Sequence, residues 1–226
     1  MKNSLFEKYT LIFKLTLKNY SPLRIFQILE ASQLKIEGRF LDLGSSESPH
    51  NISNYINNDL GRIYANKINN NNNNKNLEID LEDYPNKINQ KFDNILLMNV
   101  LEHIKNYHIC FKNIKDLLKD NGVLYGSTPF IFKIHPSPND YFRYTKQFLE
   151  EYISQNGFND IKVKVLGTGI FCCIYALIFN FTKKIPLLNI IIFPIVLFLD
   201  KIINLFSKNA KDNNPLGYFF IAKKTN

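Results

Sequence analysis

The chain has no tryptophan, two methionines and three cysteines among 226 residues. Cys110 stands alone and Cys172 and Cys173 are adjacent, so there is no disulfide framework and no paired metal-ligand spacing; a reducing, cytoplasmic setting follows. Arginine is scarce, lysine is scattered, and no basic tract is interleaved with aromatics. The net charge of +8 therefore describes no nucleic-acid groove, and it is left to a Lys- and Asn-rich composition or to an anionic membrane surface. The N-terminus is charged and amphipathic, without the unbroken apolar core and cleavage site of a signal peptide. What the chain does have is 45% hydrophobic residues, rich in Phe and Tyr. That is enough for one substantial core with an appendage.

Ser4 followed by Glu7 is a capping box, and Leu5, Phe6, Tyr9, Ile12, Phe13 and Leu17 follow at helical spacing. Ser21-Pro22 opens a second helix running to about Leu34. Arg39 to Leu43 is a short apolar run that breaks at Gly44, a buried strand turning into a ligand-binding loop, and Ser48-Pro49 can start a helix. Residues 55–60 read as a second strand ending in Asp59. In doubly wound folds an acid at that strand end accepts hydrogen bonds from a ribose; an ordinary turn aspartate is the alternative. The asparagine run from Asn69 to Asn74 is too polar to pack and reads as an exposed insertion.

Leu77 to Pro85 gives a third strand and loop carrying Asp80, and Phe92 to Leu101 a central parallel strand, apolar on both faces, ending in the polar Asn99-Val-Leu-Glu-His103. A helix from about Asn106 carries Cys110, Ile114, Leu117 and Leu118, and stops at Gly122, where a left-handed cap is expected. A fifth strand runs to Thr128, followed by a loop, 130–144, that contains His135, Asp140, Tyr141, Arg143 and Tyr144. Thr145 caps a further helix closed by Gly157, residues 160–166 make a sixth strand, and 217–222 a seventh. Strands alternating with helices predict an α/β doubly wound sheet with ligands at the carboxyl ends of its strands. Asp42 to Gly44, Asp59, Asp80, Asn99 and the 130–144 loop all fall on that edge.

Leu-Asp-Leu-Gly-Ser-Ser, Tyr-Ile-Asn-Asn-Asp, Ile-Asp-Leu-Glu-Asp, Asn-Val-Leu-Glu-His and His-Pro-Ser-Pro-Asn-Asp-Tyr-Phe-Arg-Tyr-Thr, in this order over about 39–158, resemble the class I S-adenosylmethionine-dependent methyltransferases, type 11 group. The resemblance implies a seven-stranded Rossmann-like sheet, mostly parallel with its last strand antiparallel, and S-adenosyl-L-methionine as cofactor. It further implies that Gly44 admits the methionine end, Asp59 binds the ribose, Asp80 faces the adenine amino group with Leu81 beside the ring, and Asn99 lies near the methionyl moiety. Asp42 would hold the loop. Ser46, in the cofactor loop, and Ser48 stand where the family often has glycine, which tightens or repositions the pocket. A dinucleotide would need the full glycine pattern that Pro49 breaks, so a nicotinamide oxidoreductase is the weaker alternative; a catalytically silent, membrane-bound scaffold is another.

Transfer to a hydroxyl or amine needs a base, and His135 and His103 are the candidates, with a rigid loop element and a helix-start cap as their respective alternatives. Arg143 is a candidate for recognising an anionic acceptor, while Tyr141 and Tyr144 would wall its pocket; the alternative for all three is loop anchoring. His50 and His108 lack comparable context, and no metal is expected. The acceptor is a small molecule, a glycan or a lipid-linked group.

The domains expected are N-terminal helices (1–38), a methyltransferase core (39–169 and 215–226) and an apolar helical insertion (170–214). Within the insertion, 170–179 and 185–199 are apolar runs broken by Lys183-Lys184, Pro186 and Pro194, each shorter than a bilayer span, so a helical hairpin is predicted. Its cover is one leaflet at the inner face of a membrane, the core of the protein, or a second copy in a homodimer.

Overall fold

The computed structural model describes residues 5–45, 48–58, 62–66, 76–85 and 88–225. They form two compact units. One comprises Met1–Gln33, Pro129–Lys133 and Val165–Tyr218; the other comprises Leu34–Thr128, Ile134–Lys164 and Phe219–Asn226.

In chain order the elements are α1 (Leu5–Leu17), α2 (Pro22–Ala31), β1 (Lys35–Ile36), β2 (Phe40–Leu43), β3 (Asn57–Asn58), β4 (Arg62–Asn66), β5 (Asn76–Glu78), β6 (Phe92–Met98), α3 (Tyr107–Leu117), β7 (Leu118–Pro129), α4 (Lys146–Gln155), β8 (Phe158–Leu166), α5 (Ile170–Thr182), α6 (Pro186–Phe206), α7 (Ala210–Asn213) and β9 (Gly217–Lys224). Short 3-10 turns cover Ile52–Tyr55 and Leu101–His103.

Seven strands form one sheet in the order β5-β4-β2-β6-β7-β9-β8, with the last strand antiparallel, as the alternating pattern predicts. β2 lies between two parallel partners, Leu41 opposite Ile63 on one side and Ile95 on the other. All four of its residues are buried, which is why this strand reads as a continuous apolar run around Asp42. Phe40, Phe92, Ile95, Leu97, Leu124, Phe219 and Phe220 are fully buried. The packing is close enough that a Cβ added to Gly126 on β7 would lie 2.1 Å from the Phe220 ring.

Three local expectations differ from what folds. Residues 57–58 do not join the main sheet; they pair with Lys35–Ile36 in a separate two-stranded sheet, and the partner of β2 is the 62–66 strand. No α-helix starts at Ser48-Pro49: among the described residues that stretch has only the 3-10 turn at 52–55. Helix α3 ends one residue before Leu118, which begins β7, and the left-handed residue beyond it is Asn121 (φ 62°), not Gly122. Asparagine tolerates that region better than most residues do. Gly122 serves instead for close approach, since a Cβ there would meet the Lys119 carbonyl at 2.8 Å.

In the helical unit, Ser21 caps α2 by accepting from the Arg24 N–H, and Pro22 takes the first helical position. Ser4, the expected cap of α1, lies outside the described residues. α1 buries Ile12, Leu15 and Thr16, so Leu5, Phe6, Tyr9, Phe13 and Leu17 of the predicted stripe are exposed. The larger departure is α6. Pro194 does not break it, and it runs as one continuous helix of 21 residues, long and apolar enough to cross a membrane, with mean hydropathy 2.1 and 22% of its most apolar stretch buried. The prediction that each apolar run falls short of a span is thus corrected. Proline removes one i→i−4 hydrogen bond, and the helix continues across that gap.

The face of α6 that packs inward carries polar anchors. Asp200, fully buried, accepts from the Thr168 hydroxyl (2.6 Å) and from the Phe171 and Cys172 N–H groups (2.9 and 3.0 Å), capping the start of α5 with a carboxylate. Asn189 accepts from the Tyr175 hydroxyl at 2.9 Å and donates to the Thr182 carbonyl and Asn19. Burial pushes the Cys172 thiol up to about 12, consistent with a structural, reduced cysteine.

Candidate active site at the carboxyl edge of the sheet

β2 ends at Leu43, and Gly44 turns the chain out with φ +75° while its N–H donates to the Ala65 carbonyl of β4 at 2.7 Å. A side chain at this position would be strained and obstructed, because its Cβ would lie 2.4 Å from Val100 Cγ2. Ser45 Oγ donates to the Asp42 carbonyl, tightening the same turn, and Asp42 itself is buried in the strand. On the neighbouring strand end, Asn99 is also left-handed (φ 55°) and its N–H donates to the Ser127 carbonyl of β7. Gly44 and Asn99 thus mark the points where two adjacent parallel strands stop.

Asp80 follows β5, and its Oδ1 accepts from the Glu82 N–H at 3.0 Å, closing its own turn. Leu81 is buried, with its carbonyl accepting from Asn113. Ser46 and Asp59 lie outside the described residues. The ribose role expected of Asp59 rested on a second strand ending there; the strand that pairs with β2 ends at Asn66, seven residues further on.

The predicted substrate loop is fixed by an aromatic cluster. Tyr107 of α3 meets Phe142, Tyr144, Phe148 and Tyr152 edge-on, with centroids 5.1–6.2 Å away, and Phe148 stacks on both Tyr144 and Tyr152. Tyr144 is buried and donates to the Leu101 carbonyl, and burial holds its hydroxyl far above the usual range. Arg143 clasps Asp140 with both arms of its fork, at 2.5 and 2.7 Å. That hydrogen bonding holds the Asp140 carboxyl well below, and the guanidinium above, their ordinary values. The fork expected to take an anionic acceptor is occupied, so Arg143 and Tyr144 anchor the loop. Tyr141 remains half-exposed, with its N–H donating to the Glu102 carbonyl.

The two candidate histidines converge. Their rings meet edge-on at 4.9 Å, and both Nε2 atoms face one oxygen of Glu102, His103 at 3.8 Å and His135 at 3.6 Å. His103 Nδ1 donates to the Asn139 carbonyl at 2.5 Å, and His135 Nδ1 lies 3.3 Å from Asp140 Oδ2. Glu102 is fully buried, and neither carboxylate oxygen has a hydrogen-bond partner. By spacing alone the sequence offered no His/carboxylate cluster; the fold assembles one from the end of β6 and a distant loop, with ligand atoms within 4.8 Å of one another. Glu102 went unassigned, although its place in the polar Asn99–His103 end of an otherwise apolar strand was the available signal. His108, by contrast, is paired with the Tyr152 hydroxyl.

A family model described as a methyltransferase domain matches residues 27–163, more than half of the chain. The chain belongs to this family. It is an S-adenosylmethionine-dependent methyltransferase. Among solved structures, this methyltransferase is similar to an S-adenosylmethionine-dependent methyltransferase from Archaeoglobus fulgidus, with 12% identity and a TM-score of 0.51 over 96% of this chain and 100% of the other. A phosphoethanolamine N-methyltransferase of Haemonchus contortus, solved with S-adenosyl-L-methionine, is 14% identical with a TM-score of 0.53; this chain covers 58% of its length and is itself covered to 99%. The cyclase SpnF is 13% identical with a TM-score of 0.57, over 100% of this chain and 84% of that one. At these identities the likeness is one of fold. No curated protein sequence matches the chain.

The residues present fit the cofactor. Gly44 is exposed at the strand end, and half-buried Asn99 and Asp80 supply polar groups on the same edge.

Proposed function

We propose that this methyltransferase methylates a hydroxyl of a lipid-linked or glycan acceptor at the cytoplasmic face of a membrane. The observation that carries the chemistry is the convergence of Glu102, His103 and His135 beside the strand end marked by Asn99. Bound cofactor supplies a methyl group on a sulfonium, whose charge already activates the leaving group, so the protein's share is alignment and handling of the acceptor's proton. In that reading Gly44, Asn99 and Asp80 hold the cofactor and Asp42 the loop. Half-exposed Tyr141 borders the acceptor, and the cluster of His103, His135 and Glu102 takes up the proton that the acceptor hydroxyl loses as its oxygen bonds the methyl group.

The membrane reading rests on the helical unit. Ile191, Ile195, Phe198, Ile202 and Leu205 form an exposed stripe on α6; Ile170, Ile174, Leu177, Ile178 and Phe181 form another on α5, and α1 adds Leu5, Phe6, Tyr9 and Phe13. So much unpartnered apolar surface marks an interaction site. α1 and α5, of 13 residues each, extend about 20 Å, short of the ~30 Å hydrocarbon core. Shallow insertion into one leaflet accommodates all three helices, with Lys183, Lys184 and Lys201 toward anionic headgroups.

Calorimetric titration with S-adenosylhomocysteine, and transfer of labelled methyl into lipid-extractable and aqueous cell fractions, test the catalytic reading. Absence of binding at high ligand concentration sinks it. Co-sedimentation with anionic but not zwitterionic vesicles, reversed by salt, supports the leaflet reading. Indifference to both vesicles overturns it, as does alkali-resistant extraction with protease-protected ends, the mark of a spanning helix.

A further inference from the structure

We infer that Glu102, His103 and His135 bind one divalent transition-metal ion. Three observations carry the inference. The Glu102 carboxylate is fully buried with no hydrogen bond to either oxygen, and a buried ionised carboxylate without compensation is costly enough to demand a partner. Each imidazole turns Nε2 toward that carboxylate. His103 does so because its Nδ1 proton goes to the Asn139 carbonyl, and His135 because Asp140 sits on its Nδ1 side. Ligating histidines are oriented in this way, by a carbonyl or carboxylate behind the ring. Protonating the rings instead leaves Nε2 to Oε1 at 3.6 and 3.8 Å, beyond hydrogen-bonding reach.

The separations suit an ion once the three ligand atoms, which lie within 4.8 Å of one another, close in on it. Metal–ligand bonds of about 2.1 Å place two ligands roughly 3.0 Å apart at a right angle and roughly 3.4 Å apart in a tetrahedron. Two imidazole nitrogens and one carboxylate, without thiolate, select zinc, iron(II), cobalt(II), nickel or manganese over an all-oxygen magnesium or calcium site. Two histidines and one carboxylate also leave coordination positions open, and on the methyltransferase reading an acceptor oxygen takes one of them. Asp140 then has a second duty: fixed by Arg143, it sets the tautomer of His135 as well as the shape of the loop.

The test is binding of Zn2+ or Co2+ alone to the full-length, chelator-stripped protein, by calorimetry and by the visible d–d absorption of Co2+. One ion per chain is expected, with Mg2+ a poor competitor. Glu102→Gln, nearly isosteric, and His135→Ala, on the partly exposed loop, each lower affinity by tenfold or more and alter the Co2+ spectrum; Asp140→Asn lowers affinity about tenfold through orientation. Circular dichroism confirms that the variants fold. Failure to bind stoichiometrically, or binding unchanged in Glu102→Gln and His135→Ala, overturns the site. S-adenosylhomocysteine binding is measured on the same samples, so a protein that binds it but no metal refutes the metal site alone.

Discussion

Gly44→Ala probes the turn at the proposed cofactor site, and its cost can be built from two separable parts. At φ +75° an alanine sits in the left-handed region, which costs about 1–2 kcal/mol. Its methyl carbon would lie 2.4 Å from Val100 Cγ2, and relieving such an overlap costs about 1–3 kcal/mol more. The single variant should therefore lose about 2–5 kcal/mol. Val100→Ala removes the obstructing methyl but not the backbone strain, so Gly44→Ala/Val100→Ala should lose less than the sum of the singles, by about 1 kcal/mol or more. With no tryptophan and two compact units, a single optical transition is a poor readout. Thiol labelling in urea avoids the problem, because buried Cys110 reports the sheet unit and Cys172 the helical one. Cys110 should become reactive at lower urea in Gly44→Ala while Cys172 is unmoved, and S-adenosylhomocysteine affinity should fall at least about tenfold, equivalent to 1.4 kcal/mol. Additive singles, or a stability loss below about 0.5 kcal/mol, would refute the turn geometry and with it the reason glycine stands there.

The same labelling applies to Asp200→Asn. It removes the charge from a carboxylate that accepts three hydrogen bonds at the start of α5, so Cys172 should become accessible at a stability lower by about 2–3 kcal/mol with Cys110 unaffected. Asp140→Asn breaks the clasp with Arg143 and should cost about 2 kcal/mol at neutral pH, measured by urea titration of Cys110 labelling. Because Arg143 depresses the folded carboxyl, its stabilisation is complete above the unfolded value near 4 and is lost as pH falls from there toward the folded value. Wild type and variant should thus converge only in strong acid; a gap that widens on acidification contradicts the assignment. Gly126→Ala would drive a methyl into the Phe220 ring and destabilise by about 1–3 kcal/mol, with partial rescue in Gly126→Ala/Phe220→Leu; equal loss in single and double variants contradicts the contact.

The sheet was legible because it is built from local signals. Runs such as Phe40 to Leu43 and Phe92 to Met98 are apolar on both faces only when a strand is covered on both, and Ser21-Pro22 and Thr145 punctuate helices by their own hydrogen bonds. Where local signals compete, the reading slipped. Residues 55–60 and 62–66 are both short and mixed, and what selects Arg62 to Asn66 as the partner of β2 is pairing with a strand remote in sequence. At Pro194 a propensity that argues for a break is overruled by the continuous helical segment on either side of it. The proposed active-site edge follows from loop positions, whereas Glu102 owes its part to a convergence with His135 across a distance that no spacing rule spans.

That convergence also explains why the loop's most conspicuous polar residues turned out to be its scaffold. A long, proline-containing loop that must present one imidazole to a buried carboxylate has to be immobilised, and here the immobilisation comes from Asp140 and Arg143 at its turn and from Tyr144 and Phe142 in the aromatic cluster. Tyr141 and Phe142 N–H groups further tie the loop backbone to the Glu102 carbonyl, so the residue bearing the carboxylate and the loop bearing His135 are joined at the main chain as well as through their side chains. A charged fork looks, in sequence, like a ligand receptor. In the fold Arg143 is the clamp, and the groups it helps bring face to face are the Glu102 carboxylate and the two Nε2 atoms that point toward it.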